Sequence, residues 1–471
     1  GRLIAIDRAS GQLRWSVQTT DPAQPYAITG APRVARGKVF IGNSGAEFGT
    51  RGYVSAYDAA TGEFVWRFYT VPGNPADGFE NEAMERAAAT WSGEWWRHGG
   101  GGTVWDSIVY DPDLNQLYLG VGNGAPHNRR IRSPGGGDNL FLTSIVAVDP
   151  DSGEYLWHYQ QVPGETWDYT ASQQMTLAEI PWQGESRKVI LHAPKAGFVY
   201  IVDRTTGKLL SAEPYTTVTW ASGYDMDSGR PRENPGQDYD GEAAMVFPSA
   251  MGGHNWHPMA YSPDTGLLYI PELDMGMLFD EVAPVDYRHL KRHYNTGYEF
   301  NHERYSQRFT QAMLRHLPKA HLLAWDPVRQ KTAWKLPHPN IHNGGILATG
   351  GNLVFQGTSD GRFIAVQARC HGADVYGDGS IPDLRSLAPV WHENFAAVVL
   401  EGLMEQAGMP RFDDVLDVAQ VEQIHAYIIA RAHEDYALRQ EQGWLGAVKD
   451  YATDISARVA AWLVRFQAGG D

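Results

Sequence analysis

Short runs of apolar residues, each broken by a turn rich in Asp and Gly, recur along the first three-quarters of the chain. The clearest copies follow the pattern A-x-D-x-x-x-G-x-x-x-W and read AIDRASGQLRW (5–15), AYDAATGEFVW (56–66) and AVDPDSGEYLW (147–157). Weaker copies are IVDRTTGKLLS (201–211), which lacks the Trp, and AWDPVRQKTAW (324–334), which lacks the Gly. Each copy predicts a β-hairpin whose second strand ends in an aromatic residue.

The spacing of the copies predicts how the hairpins are arranged. The first two start 51 residues apart, and the later ones are separated by longer insertions. Four-stranded units that repeat every ~40–50 residues are typical of a β-propeller, so we predict an all-β propeller. The tryptophans that we expect to pack between neighbouring sheets are Trp15, Trp66, Trp157 and Trp334.

The hairpin pattern stops in the middle of a copy. Residues 361–366 (GRFIAV) repeat the opening residues 1–6 (GRLIAI) almost letter for letter. Asp7, Gly11 and Trp15 follow the first copy, whereas Gln367 follows the last one and no Asp-turn-Gly-Trp pattern comes after it. We therefore expect an incomplete propeller, with an internal loss at 366/367.

Beyond residue 367 the apolar residues adopt a different spacing. Over 413–433 they fall on roughly one face of a helix, and 434–467 also has a helical pattern. We therefore predict a mainly α part after the propeller. The three predicted parts are a partial propeller over 1–366, a second domain over 367–433 and a helical C-terminal extension over 434–471.

Composition argues against several classes of binding partner. The formal net charge of −16 argues against nucleic acid or an anionic membrane surface. No apolar run approaches the ~18–20 residues that a membrane-spanning helix needs. Cys370 is the only cysteine, which rules out a disulfide within the chain. The sequence opens inside a strand pattern at Gly1, so we expect that preceding residues of a longer protein are missing.

Seven motifs carry a family resemblance. They are ITGAPRV (28–34), IGNSGAEFGTRGYVSAYD (41–58), GGGTVWDS (100–107), GVGNGAPHN (120–128), GETWDYTASQ (164–173), HAPKAGFVYIVDRTTGK (192–208) and GGHNWHP (252–258). With these motifs, in this order, the chain resembles the quinoprotein alcohol dehydrogenases. More narrowly it resembles the quinohaemoprotein type, in which an eight-bladed propeller that binds pyrroloquinoline quinone (PQQ) and Ca²⁺ precedes a c-type cytochrome domain.

The resemblance implies an activity and a compartment. It implies a periplasmic enzyme that oxidises primary or secondary alcohols, or aldehydes. The electrons would pass through haem c to an electron-acceptor protein or a quinone. The second domain, over 367–433, would then be a partial cytochrome c-like domain.

The resemblance also implies a metal site and a base. It assigns Glu47, Asn123 and Asp168 to the calcium site, with Asp168 beside the ion as the general base, in keeping with the preference of Ca²⁺ for oxygen ligands. An ionised Asp168 would take the hydroxyl proton while hydride leaves the alcohol for the quinone. Thr170 stands where an additional Asp accompanies lanthanide use in this family, so we expect Ca²⁺ rather than a lanthanide.

PQQ is flat and carries three carboxylates, so it needs an aromatic platform and a ring of donors. The resemblance assigns Trp105 to the platform and Asn343 to the edge of the cofactor. Lys195 would contact the quinone oxygens and stabilise negative charge during the reaction. The family usually has Trp immediately before this Asn, and here that residue is His342. The residues that the resemblance assigns to the carboxylate rim are Thr29, Ser44, Gly45 and Ala46.

The stretch FIAVQARCHG (363–372) contains the second half of a haem-attachment motif, C-x-x-C-H. Cys370 would form a thioether bond to the haem, and His371 would bind the iron. Met409, in the later landmark GMP, is the candidate for the opposite iron ligand. Gln367 occupies the place of the first cysteine and has no thiol with which to form a thioether bond.

Two other interpretations remain open. One is an inactive derivative of the enzyme, which keeps the site residues but lacks part of the propeller and of the haem domain. The other is a non-catalytic propeller scaffold that shares the repeated motif and binds no quinone. The occurrence of Glu47, Asn123 and Asp168 in matching motifs counts against the scaffold.

Overall fold

The computed structural model describes residues 1–290, 293–299, 317–367, 387–403, 413 and 417–441. The chain divides into two units, Gly1–Ala365 and a second one that begins at Val366. The first unit is built mainly of antiparallel strands, and the described residues beyond 367 are mainly helical.

Six strands form the first two sheets. They are β1 (Arg2–Ile6), β2 (Leu13–Gln18), β3 (Arg33–Ala35), β4 (Lys38–Gly42), β5 (Tyr53–Asp58) and β6 (Phe64–Tyr69). β1 and β2 form a hairpin, and β3 to β6 form a four-stranded antiparallel sheet in chain order. In the turn after β5, Asp58 accepts hydrogen bonds from the N–H groups of Ala60 and Thr61, as the Asp/Gly pattern predicts.

The next sheet follows a long connection that contains α1 (Glu82–Ala88). Its four antiparallel strands are β8, β9, β11 and β12, whereas β7 and β10 pair in a small separate ladder. A short helix, α2 (Arg129–Arg132), lies between β10 and β11. The strands are β7 (Gly100–Gly101), β8 (Ile108–Asp111), β9 (Gln116–Gly120), β10 (Gly124–Ala125), β11 (Ser144–Val148) and β12 (Tyr155–Gln160).

A third four-stranded sheet contains β13 to β16 and is followed by a hairpin of β17 and β18. These strands are β13 (Met175–Trp182), β14 (Glu185–His192), β15 (Phe198–Asp203), β16 (Leu209–Pro214), β17 (Ala221–Asp225) and β18 (Arg230–Glu233). All the pairings are antiparallel, and the turn between β15 and β16 is the fourth copy of the repeated motif.

The remaining strands are β19 (Ala244–Val246), β20 (Ala260–Ser262), β21 (Leu267–Asp274), β22 (Met277–Phe279), β23 (Lys319–Asp326), β24 (Lys331–His338), β25 (Ile346–Ala348), β26 (Leu353–Gly357) and β27 (Phe363–Gln367). β20, β21, β23 and β24 form the fourth four-stranded sheet. β25, β26 and β27 form a three-stranded sheet, and β19 pairs with β22.

Apolar side chains fill the space between consecutive sheets. Buried residues of β4 and β5 pack against those of β9 and β11, and residues of β9 and β11 also pack against β14 and β15. Other residues of β14 and β15 pack against β21 and β23. Because alternate residues of a strand point to opposite faces, the central sheets are covered on both sides. This succession of face-packed sheets confirms the predicted propeller-type fold.

The tryptophan of each complete motif packs against the glycine of the next one. The pairs, with the distance from the Trp ring to a Cβ placed on the glycine, are Trp15 with Gly62 (2.7 Å), Trp66 with Gly153 (2.6 Å) and Trp157 with Gly207 (2.4 Å). A larger residue at the glycine would therefore collide with the neighbouring sheet's Trp. Trp334 packs against Tyr269 of its own sheet.

The Trp–Gly contact gives a prediction for stability. Gly153 has a φ of +76° and lies against Trp66, so Gly153→Ala should cost about 2–5 kcal/mol of unfolding free energy through backbone strain and overpacking. Gly184 has a φ of +86°, and no heavy atom lies within 4 Å of its Cβ position. Gly184→Ala should therefore cost only about 1–2 kcal/mol. Thermal melting of the two variants checks this; equal shifts would contradict the importance of the contact.

The second unit contains α3 (Pro389–Glu393), α4 (Phe395–Leu400) and α5 (Val418–Glu441) among its described residues. Its buried apolar cluster is formed by Phe395, Val399, Val421 and Ile428. α5 continues across 433/434, so the boundary predicted there lies inside a helix. None of the described helices has both the length and the apolar character to cross a membrane.

Candidate metal and quinone site

The candidate residues lie in loops at corresponding ends of their sheets. In an antiparallel sheet, the start of the first strand and the end of the second lie at the same end. In each of three four-stranded sheets, one candidate residue lies in the loop before the first strand and another lies in the loop after the second strand. The pairs of candidate residues in these two kinds of loop are Thr29 and Ser44, Trp105 and Asn123, and Asp168 and Lys195.

Three of these loops bring charged and polar groups together. Ligand atoms of Glu47, His127 and Asp168 all lie within 4.8 Å of one another. Glu47 Oε1 is 3.2 Å from Asn123 Nδ2 and 3.5 Å from His127 Nε2. Asp168 Oδ1 is 3.8 Å from the same His127 nitrogen. Glu47, Asn123 and Asp168, which were predicted from three separate motifs, therefore surround one position.

The Glu47 loop owes its shape to two glycines. Ala46–Phe48 is a single turn of 3₁₀ helix, flanked by Gly45 with a φ of 101° and Gly49 with a φ of 82°. Asn295 donates to the Glu47 carbonyl from its backbone N–H at 2.9 Å and from its side chain at 3.0 Å. Burial opposes ionisation of the Glu47 carboxyl, but His127 and Asn123 outweigh it and lower its pKa to about 2. This carboxylate is therefore ionised at neutral pH.

His127 is the residue of this cluster that the sequence interpretation missed. Its imidazole is buried and lies between the Glu47 and Asp168 carboxylates, while the ring of Tyr298 packs against it with centroids 5.4 Å apart. Burial disfavours the charged imidazole, yet Asp168 and Glu47 raise the pKa of His127 above its usual value. Its position four residues after Asn123, within the motif GNGAPHN, was the available signal.

Lys195 holds Asp168 from the other side. Its Nζ donates to Asp168 Oδ2 at 2.9 Å and to the Asp168 carbonyl at 3.1 Å. Gly252 packs against the lysine side chain, and a Cβ there would lie 2.4 Å from Lys195 Cγ. The motif GGHNWHP therefore confines the lysine, which leaves Asp168 Oδ1 as the oxygen that faces His127.

The predicted platform and part of the predicted rim also meet. Thr29 Oγ1 lies 2.7 Å from Ser44 Oγ and 3.0 Å from the Trp105 carbonyl oxygen, to which it donates. Trp105 is partly buried, and a Cβ on Gly122 would lie 3.4 Å from its ring. Gly45 and Ala46 follow directly after Ser44 and lead to Glu47. Ser44 is thus joined to the metal cluster through one short loop, and Thr29 links this loop to the Trp105 backbone.

Asn343 is placed differently from the other candidates. Its Nδ2 donates to the Asn340 carbonyl at 2.8 Å, and its Oδ1 accepts from the Ser359 N–H at 3.1 Å. It lines a cavity of about 30 Å³ together with His342 and Glu272. Its amide therefore supports its own loop. The three haem candidates, Cys370, His371 and Met409, lie outside the described residues.

Asp106, next to Trp105, gives a prediction about pH. Burial raises the pKa of Asp106 to about 6 despite Arg33. A carboxyl whose pKa is raised by folding stabilises the fold fully below its unfolded pKa and loses that contribution as the pH rises through 6. Asp106→Asn should therefore stabilise the protein by about 1–2 kcal/mol at pH 8 and change little at pH 4. Thermal melting at both pH values checks this; equal shifts at the two would contradict it.

Comparison with known proteins identifies the family. The β-propeller domain profile of PQQ-type glucose, ethanol and alcohol dehydrogenases matches residues 10–218. Quinohemoprotein alcohol dehydrogenase ADH IIB of Pseudomonas putida is 42% identical, over 94% of this chain and 78% of its own length. The solved structure of ADHIIG from Pseudomonas putida HK5 is 39% identical with a TM-score of 0.73, covering 94% of this chain and 80% of that one. A solved europium-containing methanol dehydrogenase is 31% identical with a TM-score of 0.68, covering 78% and 64%.

The fold, the site and these similarities define a PQQ-type quinoprotein dehydrogenase. The chain belongs to the quinohaemoprotein alcohol dehydrogenases, and it is therefore an oxidoreductase of the alcohol-oxidising class. The alignment with ADH IIB extends over 548 positions, more than the 471 residues of the chain. Within the aligned region, that relative thus contains segments that this chain lacks.

Proposed function

We propose that this protein oxidises primary or secondary alcohols to aldehydes or ketones with PQQ and Ca²⁺, and that Asp168 is the general base. The observation that carries the proposal is the convergence of Glu47, Asn123 and Asp168 on one position, with Lys195 bonded to the base. These groups come from loops of three successive sheets, and each has a distinct part in alcohol oxidation.

The donor set fits a calcium ion. The Glu47 and Asp168 carboxylates lie beside one position next to His127, and their combined negative charge favours a cation there. Carboxylate and amide oxygens are also the ligands that Ca²⁺ prefers. Thr170 has no carboxylate to add to the site, and its hydroxyl donates to Gln173 Oε1 at 3.2 Å. That supports Ca²⁺ over the lanthanide that the methanol dehydrogenase contains.

The residues around Trp105 fit a flat polyanion. The partly buried Trp105 indole would offer a stacking surface, and the Thr29 and Ser44 hydroxyls, bonded to each other and to the Trp105 carbonyl, would offer polar groups. Trp105, Thr29, Ser44 and the backbone of Gly45 and Ala46 would hold PQQ, and Glu47 and Asn123 would hold the metal. When bound, PQQ accepts the hydride and Ca²⁺ polarises its carbonyl.

The chain's own residues then handle the proton. Asp168 accepts the alcohol's hydroxyl proton at Oδ1, because Lys195 occupies Oδ2. Lys195 fixes the orientation of this carboxylate and directs positive charge at the site where negative charge develops. Asn295 donates to the Glu47 carbonyl, and the ring of Tyr298 packs against His127. These two residues would limit the access of water to the side of the site formed by Glu47 and His127.

The electrons would leave through haem c, held by Cys370, His371 and Met409, for an acceptor protein or a quinone. The domain assignment that goes with this is a partial propeller over 1–366, a partial cytochrome c-like domain over 367–433 and an extension over 434–471. The compartment is the periplasm. The name of the relative ADH IIB, a quinohemoprotein, supports the haem.

Two observations favour a second candidate, an inactive derivative of the enzyme. ADH IIB contains aligned segments that this chain lacks, and Gln367 stands at the place of the first haem cysteine. Such a derivative would keep the Glu47–Asp168 cluster and would bind calcium or quinone without turnover. The two candidates therefore differ in activity and not in family.

Reconstitution distinguishes them. The purified full chain is incubated with PQQ and Ca²⁺, then assayed with ethanol or 1-butanol and an artificial dye as electron acceptor. Alcohol-dependent dye reduction that requires both PQQ and Ca²⁺ supports the enzyme; quinone binding without dye reduction supports the inactive derivative. Intact-mass measurement of the same sample reports whether one haem is covalently attached.

A further inference from the structure

We propose that Glu165 is a positioning residue that holds the metal-binding loop and the loop of the catalytic base in register. The inference rests on the proposed function, because it concerns the same site. Glu165 lies three residues before Asp168, in the motif GETWDY, and its side chain is fully buried. It does not touch the position between Glu47 and Asp168, and it acts through the backbone.

Each oxygen of the Glu165 carboxylate binds a different loop. Oε1 accepts from the backbone N–H of Gly124 at 2.7 Å, immediately after the candidate ligand Asn123. Oε2 accepts from the backbone N–H of Tyr169 at 3.2 Å, immediately after Asp168. One carboxylate therefore fixes the peptide that follows a metal ligand and the peptide that follows the base.

The backbone of Asp168 requires such support. Its φ of 65° is in the left-handed region, which non-glycine residues rarely adopt and which persists where the surroundings enforce it. Lys195 donates to the Asp168 carbonyl at 3.1 Å, and Glu165 accepts from the next N–H. The two contacts hold the oxygen and the N–H of the peptide unit that follows Asp168, so loss of one allows the carboxylate to turn away from His127.

Arg132 holds Glu165 and the neighbouring loop together. Its guanidinium is fully buried and donates to the carbonyls of Pro126 and His127 at 2.7 Å each and of Glu165 at 2.6 Å. A Cβ on Gly124 would lie 2.2 Å from this guanidinium, so the glycine leaves the room that Arg132 occupies. The arrangement cross-links the loops that carry Asn123, His127 and Asp168.

A buried ion pair elsewhere in the propeller provides a matched control. Asp111 and Arg204 are also buried, with Arg204 Nε 3.2 Å from Asp111 Oδ2. Asp111 ends β8, at the end of its sheet opposite to Trp105 and Asn123. Removal of the Asp111 charge should disturb the fold much as removal of the Glu165 charge does, but it is remote from the metal position.

The test is calcium affinity, measured by titration calorimetry on the full chain with Ca²⁺ alone and with Ca²⁺ plus PQQ. Glu165→Gln keeps the shape of the side chain but has one acceptor oxygen, so one of the two backbone N–H groups loses its partner. The expected result is a Kd for Ca²⁺ about 10–100-fold higher than that of the wild type. Asp111→Asn should leave the Kd unchanged, although both variants melt at lower temperature.

The outcomes separate the inference from the proposed function. Wild-type protein that binds no Ca²⁺ overturns the proposed metal site itself. Wild-type binding with an unchanged Kd in folded Glu165→Gln overturns only the positioning role. If Glu165→Gln does not fold, Arg132→Lys is titrated instead: a raised Kd supports the cross-link, and an unchanged one overturns it.

Discussion

Replacing Asp168 with Asn is expected to lower kcat for alcohol oxidation by about 10²–10⁴-fold, the usual contribution of a general base. The amide is nearly isosteric and can still accept the hydrogen bond from Lys195, so the loop should keep its shape. It has no lone pair basic enough to take the hydroxyl proton. Steady-state dye reduction at saturating PQQ and Ca²⁺ measures the effect.

The control for this variant is Asp227→Asn, at an exposed turn residue of the same type. It should keep wild-type activity. The Ca²⁺ and PQQ affinities of Asp168→Asn are measured in parallel. A variant that retains most of its activity would exclude Asp168 as the base, and one that fails only because it loses the metal would make Asp168 a ligand instead.

Glu47→Gln is expected to weaken Ca²⁺ binding by about 100-fold or more, because ligand charge is a main determinant of calcium affinity. The neutral side chain also removes one of the two carboxylates that face His127. Calorimetric titration measures the loss, and high Ca²⁺ should restore part of the activity.

An exposed glutamate offers the matched control for Glu47. Glu63 lies in the hairpin turn between β5 and β6, and Glu63→Gln should bind Ca²⁺ as the wild type does. If Glu47→Gln binds Ca²⁺ with the same Kd as the wild type, the calcium site lies elsewhere. Activity that excess Ca²⁺ cannot restore in Glu47→Gln would show that the carboxylate does more than bind the metal.

Features encoded by local patterns were accessible from the sequence. The Asp of the repeated motif accepts hydrogen bonds from backbone N–H groups two and three residues further along the chain, so neighbouring residues specify the turn. The Trp and the Gly of the motif contact each other across neighbouring sheets, which explains why both recur. The family resemblance assigned Glu47 and Asn123 to one site, in keeping with the position of loops after second strands at corresponding ends of their sheets.

Features that depend on contacts between distant segments were not accessible. His127 lies at the site because the chain bends after β10, and its partners are 80 and 41 residues away in sequence. Glu165 acts through the backbone N–H groups of residues 124 and 169, and a contact to the backbone does not depend on which amino acid occupies those positions. The amide of Asn343 is engaged by Asn340 and Ser359, which no motif indicated.

The most direct test of PQQ-dependent alcohol oxidation at the Glu47–Asp168 site is a single turnover without any electron acceptor. Protein loaded with PQQ and Ca²⁺ is mixed anaerobically with excess ethanol, and acetaldehyde is quantified against bound PQQ. The expected result is about one acetaldehyde for each PQQ, as a two-electron quinone allows, with little product in Asp168→Asn or after removal of Ca²⁺. Bound PQQ with no acetaldehyde in the wild type, or equal product in wild type and Asp168→Asn, would contradict it.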